Sequence, residues 1–118
     1  MIETKNLVKT FKDGDAMTEV LKGIDFKIND GEFVAIMGRS GAGKSTFLYQ
    51  ISLLDEPTSG EILINGHDVL KMKIKEKIPY RLNNFGYVFQ DYALLPDLTA
   101  VENVMLPLLM QGIESAVA

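Results

Sequence analysis

The residues Gly38-Arg39-Ser40-Gly41-Ala42-Gly43-Lys44-Ser45 carry the strongest chemical signal in the sequence. Their types and spacing fit the glycine-rich phosphate-loop pattern in full. A nucleoside triphosphate needs several backbone N–H groups converging on its oxygens, which demands a close backbone approach and dihedrals that only glycine adopts cheaply. Gly41 and Gly43 supply that freedom, and Gly38, Arg39, Ser40 and Ala42 complete the loop. Lys44 places a point charge at the β- and γ-phosphates, and the Ser45 hydroxyl can ligate Mg2+. Thr46 follows in position to donate to the α-phosphate. On its own the pattern specifies a triphosphate with Mg2+. It does not separate transport ATPases from GTPases, kinases or recombinases.

Such a loop works only between a buried strand and a helix whose N-terminal N–H groups complete the anion site. Both are expected here. Phe33-Val34-Ala35-Ile36-Met37 is a wholly apolar run, as in a strand buried on both faces of a parallel sheet. Ser45 to Leu54 follows with Phe47, Leu48, Ile51 and Leu54 at helical spacing. Upstream, Ile2–Phe11 and Val20–Ile28 read as antiparallel strands joined through Lys12-Asp13-Gly14-Asp15. Downstream, Pro57-Thr58-Ser59-Gly60 breaks the helix, and Glu61–Ile64 is a strand closed by Asn65-Gly66. Leu70–Arg81 reads as an exposed helix, Phe85–Phe89 as an apolar strand and Gln90–Asp97 as a loop. Thr99-Ala100-Val101-Glu102 is a capping box for a last helix, which Pro107 is expected to kink or end.

Bulk properties exclude several classes. The 118 residues carry a net charge of −4, which argues against binding nucleic acid by electrostatics. Without cysteine there is neither a disulfide framework nor a thiolate metal site. No apolar stretch approaches the ~20 residues that span a bilayer, so a cytoplasmic chain reaching the membrane only through a partner is expected. Leu53-Leu54-Asp55-Glu56 imitates a strand bearing a metal-binding Asp and a general-base Glu. It follows Lys44 too closely, because a separate parallel strand needs a crossover of roughly a dozen residues. Asp55 and Glu56 are expected to close the helix instead. His67, the one histidine, is expected in an exposed loop, and the Lys71–Lys77 run on a solvated helix face.

The segments flanking the loop resemble the ATP-binding subunit of ABC transporters, from Met1 to about Gly112. The resemblance is carried by Val8-Lys9-Thr10-Phe11, by the loop as Walker A, by Tyr87-Val88-Phe89-Gln90, and by Leu98-Thr99-Ala100-Val101-Glu102-Asn103-Val104. It implies an α/β fold: a partial phosphate-loop NTPase core with an N-terminal antiparallel β-subdomain and the start of a helical subdomain. Residues of about 1–89 would form the first two, and about 90–118 the Q-loop and helical start. It implies ATP and Mg2+ as ligands, with Phe11 and Val20 holding adenine and residues 38–46 the phosphates. Lys44 and Gln90 would then be catalytic, and Ser45 and Gln90 would serve the metal. A glutamine amide at the end of a strand can reach Mg2+ or the attacking water, and the loop it opens can move. On the residues alone, a core aromatic is the alternative for Phe11, and ordinary core the alternative for Leu94, Leu95 and Leu98.

Two partners are implied: a membrane-spanning transporter subunit docking at Gln90–Leu98, and a second ATP-binding subunit closing on ATP. No nucleic acid is among them. Gly31-Glu32-Phe33-Val34-Ala35-Ile36-Met37-Gly38 and Leu106-Pro107-Leu108-Leu109 resemble the subgroup serving lipoprotein release and macrolide export, with Arg39 where proline is common and Ala42 where serine is frequent. The family's signature loop, Walker B strand and switch histidine have no counterpart in these residues, so an N-terminal portion that binds ATP without hydrolysing it is expected. A truncated, non-functional product and a different phosphate-loop NTPase are the alternatives. Run Phe33–Met37 would then lack neighbours, leaving the isolated chain marginally stable or prone to aggregate.

Overall fold

The computed structural model describes residues 1–118, which fall into two units, Met1–Lys73 and Ile74–Ala118. In the first, β1 (Ile2–Asp13) and β2 (Ala16–Ile28) form a long hairpin. The strands continue through the expected polar loop, because Asp13 pairs with Ala16 and leaves a turn of only Gly14 and Asp15. Strand β3 (Ser59–Ile64) pairs with the other edge of β1, and β4 (His67–Asp68) returns through the Asn65-Gly66 turn. The antiparallel order is β2-β1-β3-β4. His67 lies in the short β4 and is exposed. Helix α1 (Lys44–Ile51) packs one face on this sheet, with Phe47 edge-on to Phe26 at 5.3 Å between centroids. Leu7, Leu21, Phe47, Leu53, Ile62, Ile64 and Val69 form the core. Each such side chain contributes about 1.5–3 kcal/mol on burial.

Two expectations fail for one physical reason. Neither 33–37 nor 85–89 is a strand. A strand exists only where a ladder partner satisfies its backbone, and no other segment pairs with either run. Phe33 is fully exposed and Met37 nearly so, in line with the expected lack of neighbours. The residues Val34–Met37 leave an open pocket of about 330 Å³ beside β2 and α1.

Helix α1 stops three residues short of the expected end. Leu53 adopts φ 60°, its N–H bonds to the Gln50 carbonyl at 3.1 Å, and the Leu54 N–H bonds to the Tyr49 carbonyl at 2.9 Å. This pair of bonds is a Schellman closure, normally built on glycine. Leucine accepts the strain because its side chain is 7% exposed, within the core. The imitation of a catalytic strand at Leu53–Glu56 is therefore the turn that ends α1.

In the second unit, α2 (Ile74–Asn84) confirms an exposed helix, starting later than expected because a short 3-10 turn occupies Val69–Lys71. After α2, Phe85, Tyr87 and Phe89 stack in a ladder with centroids 6.2 and 5.9 Å apart. Helix α3 (Ala100–Met110) begins with the expected capping box, both halves formed. The bonds from the Thr99 hydroxyl and then its N–H hold the Glu102 carboxyl below its ordinary value. Pro107 does not end α3, which runs three residues further. It removes a single donor, and the terminal carbonyls are satisfied by the N–H of Gln111.

Candidate functional site

The loop from Gly38 to Gly43 turns on itself, with the Ala42 N–H bonded to the Arg39 carbonyl at 3.1 Å. It ends at Gly43, the N-cap of α1, in the left-handed region at φ 88° with no side-chain cap. The first helical bond runs from the Phe47 N–H to the Gly43 carbonyl at 2.8 Å. The N–H groups of Lys44, Ser45 and Thr46 therefore have no intrahelical acceptor and face the loop end of the helix. The same end carries the positive pole of the helix dipole, equivalent to roughly half a charge. Lys44 folds back over the loop, its ammonium donating to the carbonyls of Gly38 and Arg39, both at 2.8 Å. Cation, free N–H groups and dipole thus gather at one place, the arrangement a polyphosphate requires. Ser45 is exposed at the same end.

A feature invisible in the sequence seats this loop. Thr10 pairs with Glu19 and Lys9 with Leu21, so Val20 is an extra residue in β2, a bulge. Bulges re-aim side chains beside functional sites. Here Val20 and Leu21 both meet Gly43: a Cβ placed on Gly43 would lie 2.9 Å from Val20 Cγ1 and 3.2 Å from Leu21 Cδ2. Gly43 is thus required twice, by its backbone conformation and by contact. The structure thus brings Val20 against Gly43.

Phe11 stands on β1 and pairs with Thr18, two positions before the half-buried Val20 in β2. Phe11 is 44% exposed, so the core-aromatic reading does not hold. The Lys9 ammonium lies over its ring, 5.1 Å from the centroid. Lys9 also forms an ion pair with Asp55 at 2.8 Å and donates to the Glu56 carbonyl at 2.6 Å. Burial raises the Asp55 pKa, but the bonds from Lys9, the Glu56 N–H and Gln50 outweigh it and hold the carboxyl below its ordinary value. Neither Lys9 nor Asp55 was singled out for this role by the sequence. The available signal was Lys9 lying two residues before Phe11, on one face of a strand.

Gln90 belongs to the second unit and is exposed in a bend. The loop after it leaves Tyr92, Leu94 and Leu95 exposed, with Leu98 partly covered. Asn103 organises its far end: its Nδ2 donates to the carbonyls of Leu95, Leu98 and Thr99, and its Oδ1 accepts from the Leu95 N–H at 2.9 Å. No group of three or more His, Asp or Glu residues is placed to hold a metal, and no helix is long and apolar enough to cross a membrane.

The model of the ABC transporter family matches residues 21–118. Among curated proteins, the lipoprotein-releasing system ATP-binding protein LolD of Syntrophus aciditrophicus is 50% identical over 113 residues, covering 95% of this chain and 50% of its own length. The macrolide export ATP-binding/permease protein MacB of Marinobacter nauticus is 46% identical over 116 residues, covering 98% of this chain and 18% of its own. Among solved structures, the dimeric ATP-binding cassette MJ0796, in a post-hydrolysis state bound to ADP and Pi, aligns with a TM-score of 0.89 at 44% identity. That alignment covers 94% of this chain and 48% of the other. The chain spans about half the length of the LolD relatives it matches.

Proposed function

The chain belongs to the ABC transporter family, and we propose that it is the phosphate-binding portion of a transport ATPase. Residues 38–46 hold the phosphates, with Lys44 at the β- and γ-positions, while Phe11 and Val20 receive the adenine. One observation carries this reading. The Lys44 ammonium and the acceptor-free N–H groups of residues 44–46 gather at one end of α1.

Mg2+ fits this site as a companion of the nucleotide. No acidic cluster would hold the ion alone, so Ser45 would supply an oxygen to it beside those of phosphate and water, and Gln90 would serve the metal and the attacking water. When bound, the ion neutralises charge on the phosphates. Lys44 and the α1 N–H groups orient them. Asp55 and Glu56 follow the C-terminal end of α1, some 12 Å of helix from the loop, and are engaged with Lys9. Neither serves as general base, so these residues bind nucleotide without turning it over.

In the whole protein, hydrolysis would be completed by a second ATP-binding subunit closing on the first and coupled to a membrane-spanning partner docking at Gln90–Leu98. That places the chain on the cytoplasmic face of the membrane, held there by its partner. Residues of about 90–118 would form the Q-loop and the start of the helical subdomain. The names of the relatives favour the class serving lipoprotein release or macrolide export.

Titration of the 118-residue chain with Mg-ATP should show saturable binding without phosphate release, and Lys44→Ala should abolish the binding. Unchanged affinity in Lys44→Ala would overturn the site assignment.

A further inference from the structure

We propose that Lys9, anchored by Asp55, is a positioning residue that holds the Phe11 ring for the nucleobase, so that helix α1 joins the base and phosphate subsites into one rigid unit. This rests on the reading of Phe11 as the base platform.

The geometry begins at the far end of α1. Three donors converge on the Asp55 carboxylate: Lys9 Nζ at 2.8 Å and Gln50 Nε2 at 2.8 Å on Oδ2, and the Glu56 N–H at 2.8 Å on Oδ1. Gln50 is fully buried, and its Oε1 has no partner. Its one side-chain bond is therefore the one that fixes Asp55 to the helix. Lys9 is tied a second time, to the Glu56 carbonyl. The strand backbone on either side of Lys9 is clamped by the same turn. Thr58 donates its N–H to the Val8 carbonyl at 2.8 Å, and its Oγ1 accepts from the Thr10 N–H at 2.9 Å.

The ammonium held this way sits over one face of the Phe11 ring. An exposed aromatic on a strand otherwise loses rotamer freedom when a base stacks on it, and a cation over one face removes that cost beforehand. Phe11 is 44% exposed, which leaves ring surface for the base. The N-terminal end of α1 carries the phosphate loop, so the same helix bears both the loop and, through Gln50, the anchor of Lys9.

The test compares two ligands, ATP and inorganic tripolyphosphate, titrated calorimetrically into the full chain. Tripolyphosphate reports the loop and ATP reports loop and base together. Lys9→Met should weaken ATP about two- to fivefold and leave tripolyphosphate unchanged. Lys9→Arg, which keeps a cation on Asp55, should restore ATP affinity. In a Phe11→Ala background, Lys9→Met should have no further effect. Should Lys9→Met lose tripolyphosphate binding through misfolding, Asp55→Asn carries the same comparison. Equal weakening of both ligands, unchanged ATP affinity, or failure of Lys9→Arg to restore it each overturns the proposal. If Phe11→Ala alone leaves ATP affinity unchanged, the base-platform reading itself fails, a result distinct from the others.

Discussion

Replacing Gly43 by alanine separates the two demands placed on that residue. The first is conformational: at φ 88° an alanine costs about 1–2 kcal/mol, less about 0.4–1 kcal/mol regained because the unfolded chain is also restricted. The second is contact. The new Cβ would lie 2.9 Å from Val20 Cγ1 and 3.2 Å from both Leu21 Cδ2 and the Val20 carbonyl oxygen. A side-chain methyl can retreat, but a backbone oxygen inside a paired strand cannot do so cheaply, so crowding adds about 1–3 kcal/mol. Gly43→Ala should therefore cost about 1–5 kcal/mol in total, a large share of the roughly 5–15 kcal/mol typical of a domain. Gly41 supplies the control, with φ 77° and open space around the added Cβ. Gly41→Ala should show the conformational part alone, and the difference between the variants reads the contact. Adding Val20→Ala to Gly43→Ala removes the closest atom, and the double-mutant cycle should show about 0.5–1.5 kcal/mol of favourable coupling. Urea unfolding followed by far-ultraviolet circular dichroism measures the four species of the cycle and the Gly41→Ala control. If Gly43→Ala is no worse than Gly41→Ala, or the cycle shows no coupling, the seating of the loop on the β2 bulge is wrong.

At Leu53 the usual order of small residues should invert. Both Leu53→Ala and Leu53→Gly lose the buried side chain, at about 2–5 kcal/mol. Glycine also sheds the strain at φ 60°, so it should be the more stable by about 1 kcal/mol; a less stable glycine variant in the same unfolding assay would refute this. Asn103→Ala should free the loop before α3, seen as faster amide exchange at Leu95, whose N–H is bonded to Asn103 Oδ1; unchanged protection would count against the clamp. The Asp55 carboxyl titrates below its ordinary value of 3.8 when folded. Its contribution to stability is therefore complete above the unfolded value and is lost as pH falls from near 3.8 through the lower folded value. Asp55→Asn should flatten the acid limb of a stability–pH profile, and a limb of unchanged slope would show that the pair contributes nothing.

The phosphate loop and the hairpin were legible in the sequence because their signals are local: glycine spacing, alternation, and turn dipeptides such as Asn65-Gly66. The runs 33–37 and 85–89 were misread because apolar composition states what a segment could bury, while a strand also requires a partner. The end of α1 was misread because the left-handed leucine at 53 breaks the glycine rule and is held by core burial, a tertiary effect. Val20 was grouped with the base site by resemblance, yet the bulge that turns it toward Gly43 has no sequence mark. The Lys9–Asp55–Gln50 network joins residues far apart in sequence, and no periodicity encodes it.

The sheet order β2-β1-β3-β4 also fixes a sequence of events during synthesis. Every strand of the ladder lies within Ile2–Asp68, and none comes from the apolar run at 33–37. The ladder can therefore close as soon as Asp68 leaves the ribosome, with the phosphate loop already inside the closed segment. At typical elongation rates of about 5–20 residues per second, the interval before the last residue of α3 emerges is on the order of seconds. Hairpins form in about 1–10 microseconds. The glycine-rich loop is thus enclosed by a folded ladder on the emerging chain well before the second unit has been synthesised.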